Sequence, residues 1–174
     1  MLPTAQAEGK EREKEMKTGL ILEGGAMRGM FSAGVMDVMM ENGIRFDGII
    51  GVSAGAAFGV NYKSGQIGRA IRYNAKYCRD KRYCGVGSLL KTGNLFNTEF
   101  CYGEVPLKLD VFDFDTYEKD PTAFYVTCTD IESGKPVYHE YTGRNDHGFD
   151  WIRASASLPL VSQIVAVSYT HLTL

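Results

Sequence analysis

The chain has 174 residues, of which 44% are hydrophobic, and its formal net charge at pH 7 is −2. A chain of this length and apolar content can bury one sizeable core as a single domain. The small net charge provides no bulk field to attract nucleic acid, so we expect no nucleic-acid partner. No apolar run is long enough to span a bilayer, which excludes a membrane-spanning helix within these residues.

The N-terminal segment, residues 1–16, is polar and rich in Glu and Lys. It lacks the apolar core of a secretory signal, so we predict a flexible extension and a cytoplasmic protein. The cysteines show neither a C-x-x-C pair nor a histidine at metal-ligand spacing, which predicts reduced thiols, no metal site and no cofactor. They are Cys78, Cys84, Cys101 and Cys128.

The first predicted strand–helix unit contains a glycine-rich turn. Residues 18–22 are typical of a buried strand, and an apolar periodicity predicts a helix over residues 30–41. The turn between them, residues 23–29, reads E-G-G-A-M-R-G. A strand, a glycine-rich turn and a helix direct backbone N–H groups and the positive end of the helix dipole at one point. Such a point can bind a phosphate, or the oxyanion that forms when an ester carbonyl is attacked.

The second unit carries a serine between two glycines. Residues 47–51 predict a strand and residues 54–63 a helix, and the turn that joins them, residues 51–55, reads G-V-S-A-G. Because glycine has no Cβ, neighbouring backbone can approach a sharp turn there, and we expect the Ser53 hydroxyl to project free of the sheet edge. That geometry suits a nucleophile. We expect the two turns to lie side by side at the carboxyl edge of one parallel sheet.

Further elements alternate along the rest of the chain. The predicted elements are a helix over residues 67–82, a glycine-rich loop over 85–102, strands over 123–129, 136–140 and 163–167, and a short helix over 151–156 with Asp150 as its N-cap. Alternating strands and helices indicate an α/β layered fold.

Two surface features have both a structural and a functional interpretation. Basic side chains share one face of the predicted helix over residues 67–82, and they are Arg69, Arg72, Lys76 and Arg79. We favour an ordinary solvated face, and contact with anionic phospholipid head groups is the functional alternative. In the acidic segment over residues 99–120, carboxylates alternate with aromatic side chains, which favours an exposed edge over a metal site.

Five motifs in this order resemble those of the patatin-like phospholipases. They are E-G-G-A-M-R-G at residues 23–29, I-R-F-D at 44–47, G-V-S-A-G at 51–55, T-D-I-E-S-G-K at 129–135 and R-A-S-A-S-L-P at 153–159. The resemblance implies an incomplete patatin-like domain over residues 17–166, with its C-terminal part missing. It implies a three-layer α/β fold in which helices flank a mainly parallel central sheet. The implied activity is that of a lipid acyl hydrolase with a Ser–Asp dyad.

By resemblance, Ser53 is the nucleophile and residues 24–29 form the oxyanion loop. The residues implied to bind the oxyanion are Gly24, Gly25, Ala26, Arg28, Gly29 and Ala54, and the glycines implied to flank the nucleophile are Gly51 and Gly55. Ala26 stands where many relatives carry a third glycine, so a positive φ there would be less favourable. Arg28 matches the basic position of the loop, and we expect it to steady the loop or to attract anionic head groups.

The aspartate of the implied dyad is missing from its expected place. In the family it follows the S-L-P segment in a D-G-G or D-G-A phrase, and no such phrase follows Pro159. Residues 167–174 do not resemble the family, and we interpret them as a tail foreign to the domain. His139, His147 and Asp130 are poor substitutes for the base, because we expect a solvent-facing strand position, a loop and a turn brace, respectively.

Three functions therefore stay open. The first is a lipid acyl hydrolase that acts on a lipid or another acyl ester, with peripheral contact to a membrane surface. The second is an inactive fragment that lacks its general base. The third is a nucleotide-binding module, because Gly24-x-Ala26-x-x-Gly29 loosely matches a dinucleotide fingerprint with Asp47 as the ribose ligand. This third function leaves G-V-S-A-G unexplained.

Overall fold

The computed structural model describes residues 16–167 and 170–174, so the predicted N-terminal extension lies outside the described residues except for Met16. The strands are β1 (Gly19–Leu22), β2 (Gly48–Val52), β3 (Ala123–Asp130), β4 (Pro136–Glu140), β5 (Val165–Val167) and β6 (Thr170–Thr173). The α-helices are α1 (Gly29–Glu41), α2 (Ala54–Lys63), α3 (Arg69–Tyr77), α4 (Val86–Thr92), α5 (Phe114–Lys119) and α6 (Asp150–Ser155). A 3₁₀ turn, Ala26–Arg28, precedes α1, and a π-helix, Glu99–Leu109, precedes α5.

The described strands form one mixed sheet in the order β1-β2-β3-β6-β5, and β4 pairs with β3 as well. β1, β2 and β3 are parallel, with Leu22 opposite Gly51 and Gly51 opposite Val126. β4 and β6 run antiparallel to β3, and β5 runs antiparallel to β6. The predicted α/β fold is confirmed, and the parallel part of the sheet carries the two glycine-rich turns at neighbouring strand ends.

α2 lies against the sheet and is buried along almost its whole length. A Cβ added at Gly59 would come within 2.6 Å of Leu22 Cδ1, so a larger residue there would displace the Leu22 side chain, and glycine lets α2 lie close to β1. α1 packs on α2 and buries Met36 and Met40. Burial of such apolar side chains stabilises the fold by about 1.5–3 kcal/mol each. α2 therefore starts at a well-anchored position beside the sheet.

The prediction of a loop over residues 85–102 is wrong. The segment contains α4, which is bounded by Gly85 at φ 146° and Gly93 at φ 73°, and also the beginning of the π-helix. The two glycines mark the ends of a helix rather than a loop, because glycine adopts positive φ without a steric penalty. The helix predicted over residues 67–82 is shorter than expected, and α3 begins only after Gly68 at φ 72°.

The acidic segment over residues 99–120 is not an exposed edge, although its alternation of carboxylates and aromatic side chains predicted one. Phe112, Phe114 and Tyr117 are buried in the core, because the segment folds into the π-helix and α5 rather than into a strand. The Asp113 carboxylate accepts a hydrogen bond from the Thr116 amide at 2.9 Å and caps α5. The Asp113 carboxylate therefore has a structural role at the start of α5.

The basic face predicted on α3 is partly internal. The Arg69 side chain is 4% exposed, and its guanidinium donates to Asn61 Oδ1 over 2.8 Å and pairs with the Asp110 carboxylate at 3.3 Å. Arg72 pairs with the same carboxylate at 2.8 Å. Burial lowers the pKa of Arg69, whereas the hydrogen bond to Asp110 raises the pKa of Arg72. The Asp110 carboxylate thus ties both arginines to the end of the π-helix. The predicted solvated face is wrong at Arg69, which is internal, whereas the Arg72 side chain is 54% exposed.

The C-terminal elements differ from the prediction in detail. Phe149, not Asp150, is the N-cap of α6, and the Asp150 carboxylate pairs with Arg153 at 2.9 Å. β5 covers only the end of the strand predicted over residues 163–167. Thr170–Thr173 form β6 inside the segment interpreted as foreign to the domain, and the domain boundary itself stays a prediction.

Candidate active site

The two glycine-rich turns lie in contact, as their positions after β1 and β2 predicted. We call residues 23–29 the donor turn and residues 51–55 the nucleophile turn. A Cβ added at Gly24 would lie 3.2 Å from Ser53 Cβ and 3.9 Å from Ser53 Oγ. The donor turn thus passes directly beside the Ser53 side chain, and a glycine at residue 24 makes that approach possible.

Ser53 occupies a backbone conformation that non-glycine residues rarely adopt. Its φ is 54° and its ψ is −118°, at the N-cap position of α2. Such a conformation costs about 1–3 kcal/mol and persists only where the surrounding structure imposes it. A Cβ added at Gly51 would lie 2.7 Å from Ala56 N, and a Cβ added at Gly55 would lie 2.2 Å from Leu22 O. Both flanking glycines are therefore needed for this sharp turn.

Hydrogen bonds hold both peptide groups of Ser53. Its carbonyl accepts from the Ala57 amide at 3.0 Å, within the first turn of α2. Its amide donates to Ser155 Oγ over 2.8 Å, and Ser155 Oγ donates in turn to the Thr127 carbonyl over 2.6 Å. Ser155 was not among the predicted site residues, although it lies in the R-A-S-A-S-L-P motif.

Ser53 does not project free of the sheet edge as expected, because the residue is only 9% exposed. It lines two concave regions instead. One is a cavity of about 100 Å³, which we call the aromatic cavity because its walls include Phe58, Phe96, Tyr73, Tyr83 and Tyr102. The other, which we call the loop groove, is lined by residues 24–28 of the donor turn together with Ser53, Leu158 and Leu174. Access to the hydroxyl is therefore through these two regions.

The groups that line the aromatic cavity are uncharged at neutral pH. Burial raises the pKa of Tyr73 to about 12 and also raises the pKa of Tyr83 and of Tyr102. Burial raises the pKa of Cys101 to about 12 as well, so this thiol stays protonated. The Tyr83 hydroxyl donates to Asn74 Oδ1. The cavity therefore provides an apolar, neutral lining and no ionised base or thiolate.

The donor turn adopts a strained conformation of its own. Ala26 has a φ of 46°, so the left-handed conformation that a third glycine would accept is imposed on an alanine. The Arg28 amide donates to the Gly25 carbonyl over 3.0 Å, and the Gly29 amide donates to the Ala26 carbonyl. These two amides are engaged inside the turn. A Cβ added at Gly29 would lie 3.0 Å from Ala54 Cβ, so Gly29 serves the packing of α1 on α2.

The residues considered as substitute bases lie elsewhere. His139 Nε2 is 2.7 Å from Asp146 Oδ2, and its ring stacks on Trp151 at a centroid distance of 3.7 Å, so it is not the plain solvent-facing residue expected. Asp130 accepts from the amide and the hydroxyl of Ser133 and braces a turn, as predicted. Among the described residues that line the aromatic cavity and the loop groove, none is a histidine, aspartate or glutamate.

Asp47 lies at the wrong end of the sheet for a dinucleotide site. It precedes the first residue of β2, whereas the donor turn follows the last residue of the parallel strand β1. Its carboxylate accepts from the Thr18 amide at 2.7 Å, and this bond lowers the pKa of Asp47. The acidic residue of a dinucleotide fingerprint binds a ribose near the glycine-rich turn, so this placement removes the argument for a nucleotide-binding module.

Two features of the described residues 16–167 and 170–174 bear on other classes of function. No helix there is long and apolar enough to cross a membrane. Within the same residues there is no group of three or more His, Cys, Asp or Glu side chains placed to hold a metal ion.

Comparison with known proteins identifies one family. Residues 20–172 match the model of the family described as patatin-like phospholipase. The uncharacterized protein YjjU of Escherichia coli K12 is 29% identical over 150 residues, which cover 82% of this chain and 40% of that protein. Lysophospholipase nte1 of Aspergillus terreus is 29% identical over 160 residues, 84% of this chain and 9% of that protein. Lysophospholipase nte1 of Aspergillus fumigatus is 30% identical over 156 residues, with 80% of this chain and again 9% of the relative covered. The chain thus spans less than half the length of these relatives.

Proposed function

Because this chain belongs to the patatin-like phospholipase family, we propose that it is a lipid acyl hydrolase domain in which Ser53 is the nucleophile. The observation that carries the proposal is the contact between the two turns. A serine in a strained strand-to-helix turn lies against Gly24 of a glycine-rich loop, with 3.2 Å between Ser53 Cβ and a Cβ placed on that glycine. The nte1 relatives are named lysophospholipases, which supports a phospholipid or lysophospholipid as the substrate.

In the proposed reaction, Ser53 Oγ attacks the carbonyl carbon of an ester. The carbonyl oxygen becomes an oxyanion, and we assign its stabilisation to the amides of Gly25, Ala26 and Ala54. The amide of Ala54 is at the first position of α2, where the positive end of the helix dipole favours a negative charge. When the tetrahedral intermediate collapses, the C–O bond to the alcohol breaks, the acyl group stays on Ser53, and the alcohol leaves with a proton that replaces the one Ser53 Oγ gave up to solvent water. A water molecule then attacks the acyl carbonyl, which releases the carboxylic acid and returns a proton to Ser53 Oγ.

We assign the acyl chain to the aromatic cavity and the head group to the loop groove. The aromatic cavity is neutral and mainly apolar, so it suits an aliphatic chain and gives a charged head group no partner. Arg28 lines the loop groove and is exposed, so its guanidinium can attract a phosphate. Contact with a membrane surface would then involve the rim of the loop groove rather than α3.

We assign the general base to none of the residues that the structure describes. The family resemblance implies an aspartate as the partner of Ser53, and the described lining of the two regions offers no acidic side chain or histidine. A serine without a base is a weak nucleophile at neutral pH. We therefore propose that in this chain by itself Ser53 is acylated slowly and turnover is poor. The alternative of an inactive fragment is then the limiting case of the same function.

Covalent labelling tests the nucleophile. A fluorophosphonate should form an adduct on Ser53, identified by mass spectrometry of the peptide that contains residues 51–55, and Ser53→Ala should abolish it. Ser32→Ala is the matched control, because Ser32 is exposed on α1 and lines neither the aromatic cavity nor the loop groove. An adduct that forms on other serines and not on Ser53 would overturn the assignment.

A turnover assay separates an enzyme from a chain that only acylates. With a p-nitrophenyl acyl ester, we expect p-nitrophenol to be released slowly from the start, because both acylation and hydrolysis of the acyl-enzyme lack a base. Steady, rapid turnover would contradict the absence of a base.

A further inference from the structure

One buried side chain joins the nucleophile turn to the centre of the sheet. Ser155 is the last residue of α6 and is 0% exposed. Its Oγ accepts from the Ser53 amide at 2.8 Å and donates to the Thr127 carbonyl of β3 over 2.6 Å. Residues that are 102 positions apart in the chain are thus joined through a single hydroxyl group.

The direction of the Ser53 side chain depends on this bond. The peptide group before Ser53 is held by Ser155, and the peptide group after it is held by the Ala57 amide at 3.0 Å. Because the orientations of these two planes set φ and ψ, they also set the direction of the Cα–Cβ bond. Without the bond to Ser155, the strained φ of 54° would lose the one side-chain hydrogen bond to the Ser53 amide among the described residues, and only the pairing of Val52 with Thr127 and the packing of Gly51 would restrain the strand side.

The same bond determines which amides can stabilise negative charge. The Ser53 amide is engaged by Ser155 Oγ, so it is not a donor to an oxyanion. The donors of the oxyanion then have to come from the donor turn and from Ala54. Ser155 in this way separates the group that attacks from the groups that receive the developing charge.

Resting on the proposed role of Ser53 as nucleophile, we propose that Ser155 is a positioning residue, whose hydroxyl holds the nucleophile turn in the conformation from which Ser53 Oγ attacks. It does not touch the substrate. In a purely structural role, Ser155 would only give the buried Thr127 carbonyl a hydrogen-bond partner. Loss of its hydroxyl would then lower the stability of the fold without changing the rate of the Ser53 reaction.

Ser157 provides a matched control in the same motif. It is also buried, at 4% exposed, and its hydroxyl donates to the Arg153 carbonyl over 2.8 Å, within the end of α6. Ser157→Ala therefore removes a buried hydroxyl of the same type without removing a bond to the nucleophile turn. A general effect of losing a serine hydroxyl from this segment would be similar in both variants.

The first test is the kinetics of fluorophosphonate labelling at several probe concentrations, which separates probe affinity from the maximal labelling rate. We expect Ser155→Ala to lower the maximal rate at Ser53 by about tenfold to hundredfold, since a displaced attacking group loses rate steeply. Probe affinity should be unchanged, Ser155→Thr should restore most of the rate, and Ser157→Ala should match the wild type. An unchanged rate in Ser155→Ala, or an equal loss in Ser157→Ala, would overturn the positioning role.

The second test does not require labelling. Hydrogen exchange of the peptide containing residues 51–55 should be faster in Ser155→Ala than in the wild type, and unchanged in Ser157→Ala. If Ser155→Ala does not fold, as judged by thermal melting, Ser155→Cys keeps the size and weakens the hydrogen bond. Failure of wild-type Ser53 to label would refute the proposed function alone, whereas unchanged exchange in the folded variants would refute the role of Ser155.

Discussion

The nucleophile turn and the donor turn contain similar strain but are held differently. Each has one non-glycine residue at positive φ, Ser53 at 54° and Ala26 at 46°. The nucleophile turn is enclosed by distant parts of the chain, because Ser155 binds its amide and Gly55 packs on Leu22 with no space for a Cβ. Its geometry is therefore a property of the tertiary structure.

The donor turn is held mainly by its own backbone. The Arg28 amide donates to the Gly25 carbonyl, and residues 26–28 are exposed. A Cβ added at Gly25 would meet its nearest neighbour, Arg28 Cβ, only at 3.8 Å, which is an ordinary contact. The comparison indicates that tertiary contacts orient Ser53, whereas local turn geometry holds the amides that we propose as oxyanion donors.

The largest expected difference between the turns is in their tolerance of a methyl group. Gly55→Ala places a Cβ 2.2 Å from the Leu22 carbonyl, so backbone has to move. We expect a loss of stability of about 3 kcal/mol or more and loss of Ser53 labelling. Gly25→Ala in the donor turn should change stability by no more than about 0.5 kcal/mol. Urea unfolding of both variants measures the contrast, and equal losses would contradict it.

The pH dependence of labelling tests whether either turn contains a base. Without one, the rate should follow the small alkoxide fraction of Ser53 and rise about tenfold per pH unit between pH 7 and 9. The lining groups add no inflection there, because burial raises the pKa of Tyr73 and of Cys101 to about 12, so both stay protonated throughout. A plateau below pH 8 would instead reveal an ionisable partner of Ser53.

Gly24→Ala tests the place where the two turns touch. Its Cβ would be 3.2 Å from Ser53 Cβ, which is tight but can be relieved by a small shift of the exposed donor turn. We expect about tenfold slower labelling, because the donors move relative to Ser53, with a stability change below about 1 kcal/mol. Labelling kinetics and urea unfolding are measured on the same sample. A large loss of stability would show that the donor turn is as constrained as the nucleophile turn.

The smallest expected effects concern the strain itself. Ser53→Gly should be more stable than Ser53→Ala by about 1–2 kcal/mol, because only glycine adopts the observed φ and ψ without strain. Ala26→Gly should raise the free energy of unfolding by less than about 1 kcal/mol, since an exposed turn can relax part of its strain. Thermal unfolding of the three variants compares the stored strain. A larger gain at residue 26 would reverse the comparison between the turns.

Much of the local structure could be predicted from sequence, because strand, turn and helix signals act over a few residues. The limits of α2 and β4 match their predicted ranges, residues 54–63 and 136–140. The loop over residues 85–102 was wrong because Gly85 and Gly93 bound a helix, and a glycine gives the same local signal in both cases. The basic face of α3 was wrong at Arg69, whose burial depends on Asp110 from another element.

The candidate site shows the same division. The resemblance pointed to Ser53, and the glycines around it are explained by backbone approaches within the two units. Ser155 was missed, although its motif was recognised, because the sequence does not show which of the two serines in S-A-S faces the nucleophile turn. That depends on how α6 packs against β3.

By itself the sequence determined the two turns, their order along the chain and the strands that precede them, because glycine conformations and apolar periodicity are local properties. Only the tertiary structure decided how exposed Ser53 is, which hydroxyl binds its amide, and that Asp47 lies at the opposite end of the sheet. The physical reason is distance along the chain. Contacts between residues 102 positions apart depend on the packing of whole helices and strands, and no local pattern contains that information.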